Sequence, residues 1–159
     1  MLIRKEEAAD IPAIRKIVED AFPQPAEAEL VDRLRADGDA VISAVALEDG
    51  HVVGHIMFSR MKAPFRALGL APVAVTPDRQ RSGIGSRLIR WGLANANGWE
   101  GVFALGDPKF YEKFGFSVAL ARGFESTYAG EHFMALALAG SLPATSGKVE
   151  YAEAFKLLE

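Results

Sequence analysis

The stretch TPDRQRSGIG, residues 76–85, sets charged and polar residues able to hold an anion against a glycine pair. Arg79, Gln80 and Arg81 run into Gly83 and Gly85, and SRLIRWGLANANG then resumes in a helical rhythm. A helix start leaves backbone N–H groups without partners and carries a partial positive charge. Small residues there let an anion approach the backbone, and a phosphate or pyrophosphate is its natural occupant. Arg79, Arg81 and Arg87 add side-chain charge around the same point. A glycine-containing turn with solvated arginines has the same spacing, so the pattern alone leaves both readings open. Two nucleotide motifs are excluded. A Walker loop needs Lys-Ser or Lys-Thr after its last glycine, where this chain has Ser86-Arg87, and the dinucleotide fingerprint needs a small residue where it has Leu88.

Other chemistries find little support. The 159 residues include no cysteine, which removes disulfides, thiolate catalysis and Cys-ligated metal. His51, His55 and His132 lack metal-binding spacing. His51 and His55, four apart on one face of an expected strand, form a pair that a ligand could meet, or simply a hairpin edge. A net charge of −3 with no basic run argues against a nucleic-acid partner. The opening MLIRKEEAADIPAI carries charges where a signal peptide needs apolar residues, and no apolar run is long enough for a bilayer. The expectation is a cytoplasmic protein with no membrane partner.

Half the residues are hydrophobic and a quarter charged, enough to bury a core within one domain spanning 1–159. MLIR suggests an opening strand. Asp10 is placed to cap a helix with Pro12 in its first turn and Ile11, Ile14, Ile17, Val18 and Phe22 at helical spacing. FPQP ends that helix, and a second is expected from about Ala26 to Ala36. Residues 40–62 form two β-rich runs joined at Asp49-Gly50, a strong hairpin signal. LGLAPVAV is another strand, followed by the glycine loop and its helix. GVFALG reads as a buried strand, DPKFYEKF as a short helix capped by Asp107, and FMALAL as a late strand. The order β-α-α-β-β-β-α-β-α-β describes an α/β domain on a mixed sheet.

One known pattern fits the loop. Gln80-Arg81-Ser82-Gly83-Ile84-Gly85 resembles the Q/R-x-x-G-x-G/A signature of the GNAT N-acetyltransferase superfamily, in the same context between the fourth strand and the third helix. FYEKFGF (110–116) is similar to that family's second marker, Tyr-x-x-x-Gly-Phe after strand five. IRKEEAADIPAI resembles its opening strand and first helix. With VEYAEAF near the C-terminus, LGDPKFYEKFGF is similar to a bacterial subgroup of mostly predicted acetyltransferases.

The resemblance implies a central, mostly antiparallel sheet splayed between strands four and five, with helices on both faces and acetyl-coenzyme A as co-substrate. The pantetheine arm would lie beside Val73, Ala74 and Val75, and the amides of Arg81, Ser82, Gly83, Ile84, Gly85 and Ser86 would wrap the pyrophosphate, with Gln80 opening the same cofactor-binding signature. A primary amine would attack the thioester directly, with a backbone donor on the acyl oxygen worth roughly 3 kcal/mol. Tyr111 matches the family tyrosine that faces the leaving sulfur. A phenol near pKa ~10 protonates a thiolate of ~8.5 only uphill, by roughly 2 kcal/mol, so stabilisation by a hydrogen bond is as good an account as full transfer. Glu27, on the helix flanking the acceptor groove in the family, is the candidate base, with Glu29 and Asp32 as competitors and a water chain as the alternative. Where several family members carry an asparagine after strand five, this chain has Gly106-Asp107-Pro108, so that role does not transfer. The acceptor amine is left open, as are a monomer or a homodimer, a longer acyl chain, and a domain of this fold that binds acyl-coenzyme A without turnover.

Overall fold

In the computed structural model, which describes residues 1–159, Asp49 and Gly50 both take left-handed backbone angles, φ 51° and 79°. That conformation lets a two-residue turn follow the strand twist. It joins β2 (Ala40–Glu48) to β3 (His51–Arg60), the pair around which the sheet is built. β1 (Leu2–Lys5) adds antiparallel to β2, and β4 (Ala67–Val75) antiparallel to β3. β5 (Gly101–Leu105) then pairs parallel to β4, and β7 (Phe133–Ala137) closes the order β1-β2-β3-β4-β5-β7. The sheet is thus mixed but mostly antiparallel, as expected.

The parallel contact is short. β4 meets β5 only at Ala67/Gly101, Leu68/Val102 and Gly69/Phe103, whereas β7 holds β5 along its whole length. Beyond Gly69 the two strands part, and β4 runs on to Val75 with no strand on that side. A wedge opens whose vertex is Gly69.

Helices cover both faces. α3 (Ile84–Ala94) sets Leu88 and Ile89 against Ile56, Phe58, Leu68 and Leu70. Gly92 brings that helix close, because a Cβ there would stand 2.2 Å from the Phe58 ring. On the opposite face, α1 (Ile11–Ala21) and α2 (Ala26–Ala36) bury Ile14, Val18, Leu30 and Leu34 against Val45, Met57 and Ala74. Truncating one of these fully buried leucines to alanine costs roughly 2–5 kcal/mol. The C-terminal turn Glu153–Leu158 packs Phe155 into the same face. Phe103, Phe124 and Phe133 form a further cluster beneath β5 and β7.

Two local expectations change. Asp10 stands at the start of α1 but does not cap it; its carboxylate instead accepts from Arg4 and from the Glu7 N–H. His51 and His55 are not a pair. A register shift between Ala46 and Leu47 inserts an extra residue into β3, so His51 is exposed and His55 fully buried. The short α5 (Val118–Ala121) and the small pair β6 (Phe124–Glu125) with β8 (Gly147–Lys148) carry too few residues for a periodic signal. No helix is long and apolar enough to cross a membrane.

Candidate active site

From Gln80 through Ser86 no backbone N–H donates to any other protein group; the ladder of α3 begins only at Arg87, which donates to Gly83 C=O at 3.1 Å. The local sequence explains why. Gly83 enters the helix at φ 88°, which glycine adopts freely. Arg81 holds φ 65°, a conformation costing a non-glycine residue of order 1 kcal/mol. The side chains here tie the loop down and leave its amides free. Gln80 Nε2 donates to Val75 C=O at 3.1 Å, Ser82 Oγ to Arg79 C=O, and Arg79 pairs with Glu48 at 2.8 Å. Arg79 therefore spends its charge on the β2–β3 hairpin, while Arg81 and Arg87 make no ion pair within the protein.

Gly85 tests the fit of an anion. Its φ is ordinary, and a Cβ there would meet only Val73 and Val75 side chains, at 3.8 and 3.9 Å. The fold itself therefore does not require glycine; the missing side chain leaves room for a group from outside. A run of free amides at the positive end of a helix, with that room beside it, suits a phosphate or pyrophosphate.

The wedge supplies the next wall. Thr76 N–H donates to Val53 C=O at 2.9 Å, and the register pairs Gly54 with Val75 and His55 with Ala74. In an antiparallel ladder hydrogen-bonded pairs alternate. The N–H and C=O groups of Val73 and Val75 thus turn away from β3 into the wedge, while Ala74 turns to β3 with its side chain buried. Val75 C=O is already engaged by Gln80, which leaves both groups of Val73 and the N–H of Val75 free. Ile84 likewise offers only its backbone, since its side chain sits in the core under α3.

Tyr111 lies across the wedge. Asp107 caps α4 (Pro108–Tyr111) by accepting from Lys109 N–H at 3.0 Å, and Pro108 takes its first turn. The Tyr111 ring rests on the backbone of Gly106, directly after β5, where a Cβ would stand 2.6 Å from Cε2. Phe110 and Phe116 hold it edge-on at 5.1 and 5.6 Å between centroids. Burial raises its pKa above the ordinary phenol value, and no hydrogen bond within the protein engages the hydroxyl. It is a neutral, uncommitted donor.

Glu27 shares a helix stripe with Leu30, Val31 and Leu34, so its carboxylate starts on the buried face of α2. Its Oε1 is cut off from solvent and has no hydrogen-bond partner. Glu29 is exposed, and Asp32 is taken by Arg15 and Arg35. Of the three carboxylates only Glu27 is both buried in part and unengaged. On the same face of the sheet, Ser43 Oγ donates to Glu6, so it accepts from His55 Nε2, 2.8 Å away, and the buried Nδ1 keeps a lone pair with no donor. Desolvation lowers the His55 pKa to about 4, and the imidazole is neutral at ordinary pH. No cluster of His, Asp and Glu is placed to hold a metal ion.

Sequence reasoning assigned Gly69 no role and marked Gly106 only as standing where several family members carry an asparagine. A glycine within or just beyond a strand marks close approach of another group to the backbone, and that signal was available. What approaches could not be read from it.

The acetyltransferase (GNAT) domain model matches residues 39–118. The chain is 36% identical to the uncharacterized N-acetyltransferase YhbS of Escherichia coli (strain K12), over 98% of each chain. It superposes on the crystal structure of Escherichia coli YhbS in complex with CoA with a TM-score of 0.90, at 35% identity, covering 98% of this chain and 91% of that one. A GNAT family acetyltransferase from Brucella melitensis, in complex with acetyl-CoA, gives a TM-score of 0.81 at 38% identity, covering 97% of both chains.

Proposed function

The chain belongs to the GNAT N-acetyltransferase family, and from that premise we propose that it moves the acetyl group of acetyl-CoA directly onto a primary amine. The observation that carries this reading is the unbroken run of unpartnered amides from Gln80 to Ser86, set beside the free edge of β4. Those amides hold the pyrophosphate, with Gly85 giving it room. The free backbone groups of Val73 and Val75 take the pantetheine arm as a strand would take a neighbour. The co-substrate supplies an acetyl carbon already activated as a thioester.

The remaining work falls to positioned side chains. The acceptor nitrogen forms its bond to the acetyl carbon as the carbon–sulfur bond breaks, and one proton leaves nitrogen while one arrives on sulfur. Tyr111, neutral and uncommitted, donates its hydroxyl hydrogen bond to the departing sulfur. Glu27 takes the proton that an ammonium must lose before it can attack, directly or through water. An amine of pKa ~10.4 is neutral less than one part in a thousand at pH 7, so this removal matters most for lysine-like acceptors. Holding both reactants in line contributes on the order of 7–11 kcal/mol at its upper range, which makes the scaffold the larger part of the catalyst.

The test is amine-dependent turnover. Incubation with acetyl-CoA and a panel of primary amines should yield N-acetylated amine and free CoA thiol in equal amounts. Binding of acetyl-CoA with no turnover on any amine would contradict direct transfer and leave an acyl-CoA-binding module.

A further inference from the structure

The vertex of the wedge is occupied from the face opposite Tyr111. A Cβ on Gly69, the last residue of β4 paired to β5, would stand 2.5 Å from Cε1 of Tyr151. The Tyr151 ring therefore lies against the point where the strands part. Its backbone is pinned there: Lys62 and Glu150 exchange hydrogen bonds of 2.9 Å in both directions, which fixes the residue next along the chain. Phe155 at 4.7 Å, Tyr128 at 5.4 Å and Phe133 at 6.4 Å enclose the ring. This is heavy investment in one aromatic side chain whose hydroxyl has no hydrogen-bond partner in the protein. Burial, helped by Tyr128 and Tyr111, pushes its pKa far above the phenol range, so it stays protonated and cannot serve as a base.

Tyr151 also lines a cleft of about 280 Å³ that opens on this side, away from the glycine loop. Its walls carry mixed charge. Glu153 is paired with Lys156 and Glu150 with Lys148. Arg60, Lys62, Asp39 and Glu159 line the same cleft with no ion pair. Arg60 and Lys62, two apart on an extended segment, share a side. Two free cations, Arg60 and Lys62, with two free carboxylates, Asp39 and Glu159, suit a ligand that carries an anionic group as well as an amine. The volume is that of a small-molecule site at the lower end of the usual range.

We propose that this cleft is the acceptor site, that the acceptor is a small amine bearing a carboxylate, of amino-acid class, and that the Tyr151 hydroxyl positions its nitrogen at the wedge vertex. The inference rests on the acetyl-transfer reading. The phenol oxygen accepts a hydrogen bond from the amine and aims its lone pair at the vertex, while Arg60 and Lys62 hold the carboxylate. Tyr151 is a positioning residue: it moves no proton.

The experiment compares free L-amino acids, their methyl esters and spermidine as acceptors, in the wild type, Tyr151→Phe and Arg60→Ala/Lys62→Ala. The free acids should be acetylated at least tenfold more efficiently than the esters, although the esters have the less basic and more available amine. That preference should shrink in Arg60→Ala/Lys62→Ala. Tyr151→Phe, which keeps the packed ring, should lose at least tenfold in kcat/KM for the acceptor, with melting temperature and acetyl-CoA affinity by calorimetry unchanged. A protein that binds acetyl-CoA but acetylates no free amino acid, or acetylates esters or spermidine as fast, overturns the acceptor class. Unchanged acceptor kcat/KM in Tyr151→Phe overturns the positioning role. Absence of acetyl-CoA binding overturns instead the reading beneath both.

Discussion

Removing the Tyr111 hydroxyl alone leaves in place the ring that packs on Gly106 and between Phe110 and Phe116. Tyr111→Phe should therefore fold as the wild type does and bind acetyl-CoA unchanged, while kcat falls about 10- to 100-fold, the range of a lost hydrogen bond to a charged group. Equal kcat in the two proteins would remove Tyr111 from the chemistry. Because burial raises its pKa, the phenol keeps its proton at pH values where a free phenol begins to lose it, so no alkaline decline before pH ~10 should come from this residue. Glu27→Gln preserves shape and removes the base. Its kcat/KM deficit should be largest near pH 7 and should narrow as pH rises and the acceptor amine deprotonates without help. A deficit constant with pH would assign Glu27 to binding alone.

At the scale of elements, glycines set where the site's parts can meet. Gly106→Ala puts a methyl group 2.6 Å from the Tyr111 ring. It should mimic Tyr111→Phe in kcat, with a stability loss of about 1–3 kcal/mol from overpacking. A variant of full activity would mean that the ring need not rest on β5. Much at this level was legible in the sequence. The α2 span, the Asp49-Gly50 hairpin and the Asp107 cap each follow from local chemistry that nothing distant overrides. The loop was legible as a helix start with room for an anion, yet its free amides were not: that the side chains of Gln80, Ser82 and Arg79 would all be tied elsewhere is a fact of tertiary structure. The His51/His55 pairing failed because one extra residue in β3, invisible to a period-two pattern, turned the two side chains to different surroundings. Tyr151 was quoted for its resemblance and given no role, since only the folded C-terminal segment brings it to Gly69, more than half the chain away.

Across the whole molecule, the sheet is asymmetric by construction. One face, under α3, carries the anion loop, the free β4 edge and Tyr111; the other, under α1, α2 and the C-terminal turn, carries Glu27, His55 and Tyr151. Beyond Gly69 the pairing of β4 to β5 ends, and the sheet opens there between its two faces. The buried His55 also fixes how the fold responds to acid. Its folded pKa, about 4, lies below the ordinary value of 6.5, so the unfolded chain binds the extra proton between those values. Stability is complete above pH 6.5 and should fall on the order of 2–3 kcal/mol as pH drops to about 4.5. Glu6, whose pKa is lowered through its bonds to Arg35 and Ser43 against the opposing effect of burial, adds a further loss below that. Replacing His55 by glutamine should flatten the pH 4.5–6.5 portion of a melting-temperature profile, and an unchanged slope would show that the imidazole does not drive it. The account as a whole turns on the loop, and calorimetric titration with acetyl-CoA tests it most directly. The wild type should bind, and folded Gly85→Glu, which sets a carboxylate among the free amides of Gln80 to Ser86, should not. Equal binding by both would contradict the assignment of the pyrophosphate to this helix start, and with it the orientation of the co-substrate in the wedge.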